Sequence, residues 1–272
     1  MSHDPDAGLS AVARSAKVGR AALEQGHYYK KQLGCDSSVI AWTHRARFDF
    51  GLRLIGASPA KLLDYGCGDG TFLAMAADRI GSGWGADIDA GQVDEARRRL
   101  AGFTNLQFST IAELAAPLHA SAYDVVTCME TLEHCTDEVV QIVLRDLARL
   151  VTPNGRVVIS VPIETGPTFL LKFLVRRAAA WRGLSDYRFY ESYSAGNALR
   201  MIFAGRRLPF PRPVYTDTGS PYHSHYGFNW KALRERVREH LQVEATHFSP
   251  LGFSRGLASS QAWFVCRPIP SR

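Results

Sequence analysis

Cysteine is sparse in this chain of 272 residues, and long apolar runs are missing. The five cysteines are odd in number and show no CxxC spacing, which argues against a disulfide framework and against a zinc ribbon. No stretch approaches the ~20 apolar residues that a membrane-spanning helix needs. The N-terminus is polar and acidic, which is not typical of a secretory signal. These absences predict a protein of the reducing cytoplasm.

The composition is that of an ordinary globular protein. Hydrophobic residues make up 46% of the chain and charged residues 21%, which argues against a largely disordered chain. The formal charge of +6 permits an anionic partner, either nucleic acid or a membrane surface, without requiring one. The sequence has no dense basic stripe with interleaved aromatic residues, and this argues against nucleic acid.

Short apolar runs alternate with helical patterns through the centre of the chain. Strands are predicted at 61–65, 82–88, 105–108, 123–129, 156–161, 243–248 and 261–266. Helices are predicted at 37–55, 70–80, 89–100, 136–150 and 230–241, with a turn at 153–155. Strands that alternate with helices favour parallel pairing in a three-layer α/β sheet.

Four regions follow from this pattern. They are an N-terminal helical region (1–57), a central α/β core (58–162), a cap insertion (163–225) and a C-terminal segment that completes the sheet (226–272). The insertion is rich in Pro, Arg, Tyr and Phe, and 205–213 has the pattern of a solvated connector. A helix predicted at 169–182 interleaves basic and large apolar residues. This pattern is typical of a lid over an active site, or of a peripheral membrane contact through 167–184. Four tyrosines of the insertion could line a substrate pocket: Tyr187, Tyr190, Tyr193 and Tyr222.

A glycine-rich loop joins the first predicted core strand to the next helix. The residues from Asp64 read Asp-Tyr-Gly-Cys-Gly-Asp-Gly, and glycines let a backbone turn tightly against a ligand. Asp87 closes the next strand, 21 residues after Gly66, where a carboxylate can accept from both ribose hydroxyls. Asp64 would repel a pyrophosphate but can face an ammonium group. The loop therefore argues against a dinucleotide.

This loop resembles motif I of the class I S-adenosylmethionine (SAM) methyltransferases, and 85–89 resembles their ribose-binding acidic segment. The resemblance implies a Rossmann-like three-layer sandwich with a seven-stranded, mostly parallel sheet whose last strand is antiparallel. It implies SAM as the cofactor, with its methionine end at the glycine loop, its ribose on Asp87, and its adenine near Ile88 and the loop after Phe108. The candidate cofactor residues are Asp64, Gly66, Cys67, Gly68, Asp87, Ile88, Ile111 and Met129.

Three polar side chains follow the apolar strand that ends at Met129. Glu130, Glu133 and His134 stand at positions i, i+3 and i+4, so on a helical turn they project from one face. They lie at the carboxyl edge of the predicted sheet, where open α/β folds bind ligands. Two carboxylates and an imidazole suit a divalent cation such as Mg²⁺ or Mn²⁺.

The segment 124–134 resembles the ubiquinone-pathway catechol O-methyltransferases. Its E-x-x-E-H pattern also resembles the small-RNA 3′-terminal 2′-O-methyltransferases. In both groups the pattern implies a cation that grips two adjacent substrate oxygens, with Glu130, Glu133 and His134 as ligands and Met129 near the cofactor. The RNA group adds a later histidine, for which the stretch 222–230 offers His225, with His223 in reserve.

Our hypothesis is a SAM-dependent methyltransferase that acts on a hydroxyl of a small-molecule, lipid-linked or glycan substrate, such as a metal-chelated diol or catechol. Glu133 and His134 are the candidate catalytic residues. One alternative is a metal-free C-, N- or O-methyltransferase with His134 as base. Another is an RNA-terminal methyltransferase. The acidic residues that converge at the sheet edge argue against a SAM-sensing subunit without catalytic activity. The residue pattern of the glycine loop argues against a nicotinamide oxidoreductase. The expected location is the cytoplasm or the inner face of a membrane.

Overall fold

The computed structural model describes residues 21–33, 38–56, 58–170, 172, 194–206, 210–216, 221–254 and 256–270. Its strands are β1 (Lys61–Tyr65), β2 (Ser82–Asp87), β3 (Leu106–Thr110), β4 (Tyr123–Met129), β5 (Val151–Pro162), β6 (Val214–Tyr215), β7 (Tyr222–His223), β8 (Leu241–Ser249) and β9 (Gln261–Pro268). Its α-helices are α1 (Ser38–Leu54), α2 (Thr71–Ala76), α3 (Ala90–Arg99), α4 (Asp137–Leu150), α5 (Ala195–Ile202) and α6 (Trp230–His240).

Seven of these strands form a sheet with the order β3-β2-β1-β4-β5-β9-β8. Strand β1 pairs in parallel with β2 and with β4, and β2 pairs in parallel with β3. The last strand, β9, runs antiparallel to both β5 and β8. The predicted fold class is therefore confirmed: a mostly parallel, Rossmann-like sheet whose last strand is antiparallel.

The chain divides into two compact units. The first comprises Met1–Cys128 and Leu150–Gly155, and the second comprises Met129–Arg149 and Arg156–Arg272. Strands β1 to β3 belong to the first unit, and the small antiparallel pair β6–β7 belongs to the second with β8 and β9. The four regions predicted above follow the strand and helix pattern of the sequence rather than compactness, so the two units do not test them and they stay a prediction.

The helix starts in the first unit follow from local chemistry. Asp89 caps α3, since its side chain accepts from the backbone N–H groups of Gly91 and Gln92. The inner face of α3 is apolar and buried, as its spacing predicts, through Val93 and Ala96. Helix α2 is shorter than predicted, because its last turn tightens into a 3₁₀ turn at Ala77–Arg79.

Strand β5 begins earlier than predicted, at Val151, so the predicted turn at 153–155 lies within its span. The chain nevertheless bends back there. A Cβ added to Gly155 would lie only 2.6 Å from Cγ2 of Val151, which an extended strand would hold far from a residue four positions later. Pairing with β9 starts only at Val157. The predicted turn is thus a tight bend ahead of the paired part of the strand.

The insertion is described only in part. Most of the predicted helix at 169–182, and with it most of the predicted membrane contact at 167–184, lies outside the described residues, as do Tyr187, Tyr190 and Tyr193. The described part contains α5 and the pair β6–β7. Among the helices that the structure describes, none combines the length and the apolar character needed to cross a membrane.

We expect Gly70→Ala to destabilise the protein. Gly70 precedes α2 with φ +76°, and an added Cβ would lie 2.7 Å from the Phe108 ring and 2.9 Å from Leu100. A left-handed conformation and overpacking together cost roughly 2–4 kcal/mol of the free energy of unfolding. Thermal or denaturant unfolding of both proteins measures the difference.

The matched control is Gly196→Ala. Gly196 lies inside α5, and nothing stands within 4 Å of an added Cβ. This variant should be neutral or up to about 1 kcal/mol more stable, because alanine favours helix. Equal stability of Gly70→Ala and wild type would contradict the strain at the loop.

Candidate functional site

The glycine loop between β1 and α2 makes the turn that the sequence predicts. Gly66, Gly68 and Gly70 have φ values of +79°, +53° and +76°, a region that residues with a side chain rarely adopt. The loop is fastened to β2, since the N–H groups of Gly66 and Cys67 both donate to the carbonyl of Ala86, at 2.8 and 3.0 Å. Gly66 and Gly68 are half-buried at the carboxyl end of β1, the edge where open α/β folds bind ligands.

Asp87 closes β2 and connects it to the same loop. One carboxylate oxygen accepts from the N–H of Gly68 at 2.7 Å, and the other accepts from the N–H of Asp89 at 3.0 Å. Each oxygen has a second lone pair, so both can still accept from hydroxyl groups. The carboxylate is thus held rigidly and keeps the capacity that ribose recognition needs.

Asp64 is the most deeply buried acid of the loop, with 2% of its surface exposed. Burial raises the pKa of its carboxyl group to about 7, and Asp87 adds to the rise. The hydroxyl of Thr127 donates to Asp64 at 2.7 Å and opposes that rise. A cationic ligand beside this carboxyl would favour its ionised form.

The neighbouring thiol of Cys67 is buried, and burial raises its pKa well above the ordinary value. It is therefore a packing group of the loop rather than a nucleophile. Of the remaining candidates, Ile88 is 76% exposed just beyond β2, and Ile111 is half-buried directly after β3. Met129 ends β4 and is half-buried. The assignment of all eight residues to the cofactor stays a prediction.

Asp69 is a loop residue that the sequence reasoning missed. Its carboxylate accepts from the N–H of Tyr28 at 2.9 Å and forms a buried ion pair with Arg99 at 3.5 Å. Arg99 also donates to the carbonyl of Ala22 at 2.8 Å. The pair fastens residues 22–28 to the glycine loop. The only signal in the sequence is a charged residue inside the loop, and its partner lies 30 positions later.

The segment after β4 turns sharply at Glu130, which has φ +52°. The N–H of Glu130 donates to the carbonyl of Ser160 at 2.9 Å, and the hydroxyl of Ser160 donates back to its carboxylate at 3.1 Å. A 3₁₀ turn follows at Leu132–His134. Glu130 is thus bound to β5, and the structure does not group it with the other predicted ligands.

Glu133, His134 and His225 come together in the second unit. One ligand atom from each lies within 4.8 Å of the other two. The Glu133 side chain has no exposed surface, whereas both imidazoles are partly exposed. Three of the four predicted metal ligands therefore converge although 91 positions separate the first two from the last.

The orientation of His134 is set by a backbone bond. Its Nδ1 lies 2.9 Å from the carbonyl of His223, so Nδ1 carries the proton and Nε2 keeps its lone pair. Nε2 lies 3.9 Å from a carboxylate oxygen of Glu133. Burial lowers the pKa of His134, and the nearby His225 lowers it further. His223, the reserve ligand, instead directs its own Nδ1 to the carbonyl of Pro213 at 2.7 Å.

A buried carboxylate stands behind His225. Nδ1 of His225 lies 3.7 Å from Glu164, and Lys172 forms an ion pair with Glu164 at 2.9 Å. A carboxylate behind an imidazole fixes the ring and raises its basicity in metal sites. The sequence reasoning missed Glu164, which carries no motif and comes near His225 only through the fold.

Comparison with known proteins identifies the class. The methyltransferase domain family matches residues 39–205, more than half of the chain, and the chain belongs to this family. It is a class I SAM-dependent methyltransferase. The ubiquinone biosynthesis O-methyltransferase of Klebsiella pneumoniae is 38% identical over 114 residues, which are 41% of this chain and 46% of that protein. The aligned part thus spans about half the length of this relative.

Solved structures with low identity show the same fold. The geranyl diphosphate C-methyltransferase of Streptomyces coelicolor matches with a TM-score of 0.51 at 17% identity, over 93% of this chain and 88% of that one. The magnesium protoporphyrin IX methyltransferase of Synechocystis matches with a TM-score of 0.52 at 16% identity, over 89% and 97%. Both were solved with S-adenosylhomocysteine bound.

We expect the affinity for S-adenosylhomocysteine to rise with pH between 6 and 8. Asp64 has a pKa of about 7, so its carboxyl group loses its proton across this range. The resemblance places the methionine end of the ligand beside Asp64, where the ionised form would attract its ammonium group. One linked proton changes the affinity by at most about tenfold per pH unit. Isothermal titration at several pH values measures the slope.

Asp64→Asn is the matched variant, since its amide oxygen can still accept from Thr127. Its binding should be weaker at pH 8 and nearly independent of pH. The same slope in both proteins would show that another group is responsible.

Proposed function

We propose that this chain transfers a methyl group from SAM to a hydroxyl oxygen of a vicinal diol or catechol, and that a divalent cation at Glu133, His134 and His225 holds the two oxygens. One observation carries the proposal: ligand atoms from these three side chains lie within 4.8 Å of one another. Similarity to a ubiquinone biosynthesis O-methyltransferase supports an oxygen acceptor.

The donor set fits a cation. One carboxylate and two imidazoles are ligands that first-row divalent metals accept. The Nδ1 bond of His134 leaves Nε2 available. Glu130 stands outside this group of three, and one of its carboxylate oxygens accepts from the hydroxyl of Ser160. The proposal therefore rests on three of the four predicted ligands, and Glu130 as a fourth stays a prediction.

The residues divide the chemistry between them. A bound cation supplies Lewis acidity, which lowers the pKa of a coordinated hydroxyl. The cluster orients the diol, and the acceptor oxygen must stand about 3 Å from the methyl carbon in line with the sulfonium. The buried Glu133 would offset cationic charge there, since it is the acidic member of the three.

A second function rests on the same histidine. Without a cation, Nε2 of His134 can remove the proton of an acceptor, because Nδ1 is held by the carbonyl of His223. The lowered pKa keeps the ring neutral at physiological pH, as a base must be. This version admits carbon, nitrogen or isolated hydroxyl acceptors.

The substrate class stays open within these bounds. Small-molecule, lipid-linked and glycan acceptors all satisfy a site that grips two adjacent hydroxyls. A peripheral membrane contact through 167–184 and a cytoplasmic location are further proposals, and a lipid-linked acceptor would be consistent with both.

We expect Glu133→Gln to abolish the divalent site. The change keeps the volume of a fully buried side chain and removes its charge. Mn²⁺ affinity should fall more than about 100-fold, since even outer partners of metal ligands are worth 10- to 100-fold. Electron paramagnetic resonance of free Mn²⁺, with S-adenosylhomocysteine present, measures the affinity. Glu138→Gln, an exposed acid of α4, is the control and should bind as wild type does.

We also expect that only a substrate with two adjacent hydroxyls, which can bind the cation through both oxygens, is methylated. With 3,4-dihydroxybenzoate as probe, methyl transfer should require Mn²⁺ and cease in excess EDTA, whereas 4-hydroxybenzoate should stay unmethylated. The reason is that only the first offers two adjacent oxygens to a cation. Mass spectrometry of the products gives the result. Transfer that continues unchanged in EDTA would refute the cation and favour His134 as base.

A further inference from the structure

Arg212 joins the two segments that carry the cluster. Its guanidinium donates through Nη2 to the carbonyl of Glu133 and, at 2.7 Å, to the carbonyl of Ser224. Its Nε donates to the carbonyl of Tyr226 at 3.2 Å. The first carbonyl belongs to the turn that holds Glu133 and His134. The other two belong to the residues on either side of His225.

The guanidinium is itself held in place. Its carbon stands 5.3 Å from the centre of the Phe228 ring, an arrangement that favours a cation over an aromatic face. Arg212 also lines a cleft of about 410 Å³, together with Leu132, Cys135 and Phe228. The sequence pattern of 205–213 predicts a solvated connector, and Arg212 departs from that prediction because it donates to backbone carbonyls of two other segments.

We propose that Arg212 is a positioning residue that sets the distance between His225 and the Glu133–His134 pair. The geometry of this inference stands by itself, whereas its expected effect on metal binding rests on the proposed function. Three donors in one plane can reach three carbonyls at once, whereas the single ammonium of lysine cannot hold the same three in fixed directions. Hydrogen bonds from a charged donor are stronger than neutral ones, so the two segments move together.

The test compares Arg212→Lys with Arg206→Ala in the whole protein. Arg206 belongs to the same predicted connector and lines the same cleft, but it is 67% exposed and forms an ion pair with Glu235 at 3.9 Å. Mn²⁺ affinity is measured by electron paramagnetic resonance with S-adenosylhomocysteine present. Amide hydrogen exchange is measured without metal. S-adenosylhomocysteine affinity is measured as a check on the cofactor loop.

For Arg212→Lys we expect Mn²⁺ affinity to fall about 10- to 100-fold, the usual effect of losing an outer partner of metal ligands. Amide exchange should accelerate in peptides covering 131–136 and 222–228 together, while 61–70 and the affinity for S-adenosylhomocysteine stay as in wild type. Arg206→Ala should match wild type in every measurement. Unchanged Mn²⁺ affinity in Arg212→Lys, or faster exchange in only one of the two segments, would overturn the proposal.

Two outcomes separate this proposal from the proposed function. If wild type binds no Mn²⁺, the cation fails, and exchange in the two segments alone decides the role of Arg212. If Arg212→Lys unfolds, Phe228→Leu replaces it, because this change removes the ring beside the guanidinium and leaves the three carbonyls in place. Phe228→Leu should lower Mn²⁺ affinity and accelerate amide exchange in both segments, by smaller amounts than Arg212→Lys. Wild-type values in these measurements would overturn the proposal.

Discussion

Two buried strands of the sheet end in sharp backbone turns, and these turns place polar groups at the edge of the sheet. Strand β1 exits through glycines with positive φ, and β4 exits through Glu130, which also has positive φ. Each exit sets backbone and carboxylates at the carboxyl end of a strand, where open α/β folds bind ligands. In the first unit, one hydrogen bond connects two of these strand ends. Asp87, at the end of β2, accepts from the N–H of Gly68 and so holds the glycine loop that follows β1.

Burial changes the properties of titratable groups in both units. In the first unit it raises the pKa of the Asp64 carboxyl group to about 7, and the nearby Asp87 adds to the rise. In the second unit, burial and a neighbouring imidazole lower the pKa of His134. A neutral imidazole serves equally as a metal ligand and as a base. For this reason a single cluster supports two mechanisms, and the presence of a cation is what separates them.

The second unit shows how backbone carbonyls can organise a site. The carbonyl of His223 fixes the tautomer of His134, and the carbonyls of Glu133, Ser224 and Tyr226 converge on Arg212. None of these bonds depends on the side chain of the residue that supplies the carbonyl. Motif patterns record side chains, so such bonds are invisible to them, although they hold the ligand segments in register.

The sequence by itself determined the α/β class, the course of β1 to β4, the glycine loop and the acid of β2, because each of these follows from the residue types in one stretch of the chain. Hydrophobic spacing, glycine conformation and an N-cap are local properties. Local spacing also grouped Glu130 with Glu133 and His134. The last two converge with His225, whereas Glu130 accepts from Ser160 of β5, and its role as a ligand stays a prediction. The resemblance named His225 as a further ligand, but the tertiary structure is what brings its imidazole to Glu133 and His134. It also sets Glu164 behind His225 and places Arg212 between the two segments, neither of which the sequence indicated. These contacts join distant positions, and the path of the backbone through space decides them.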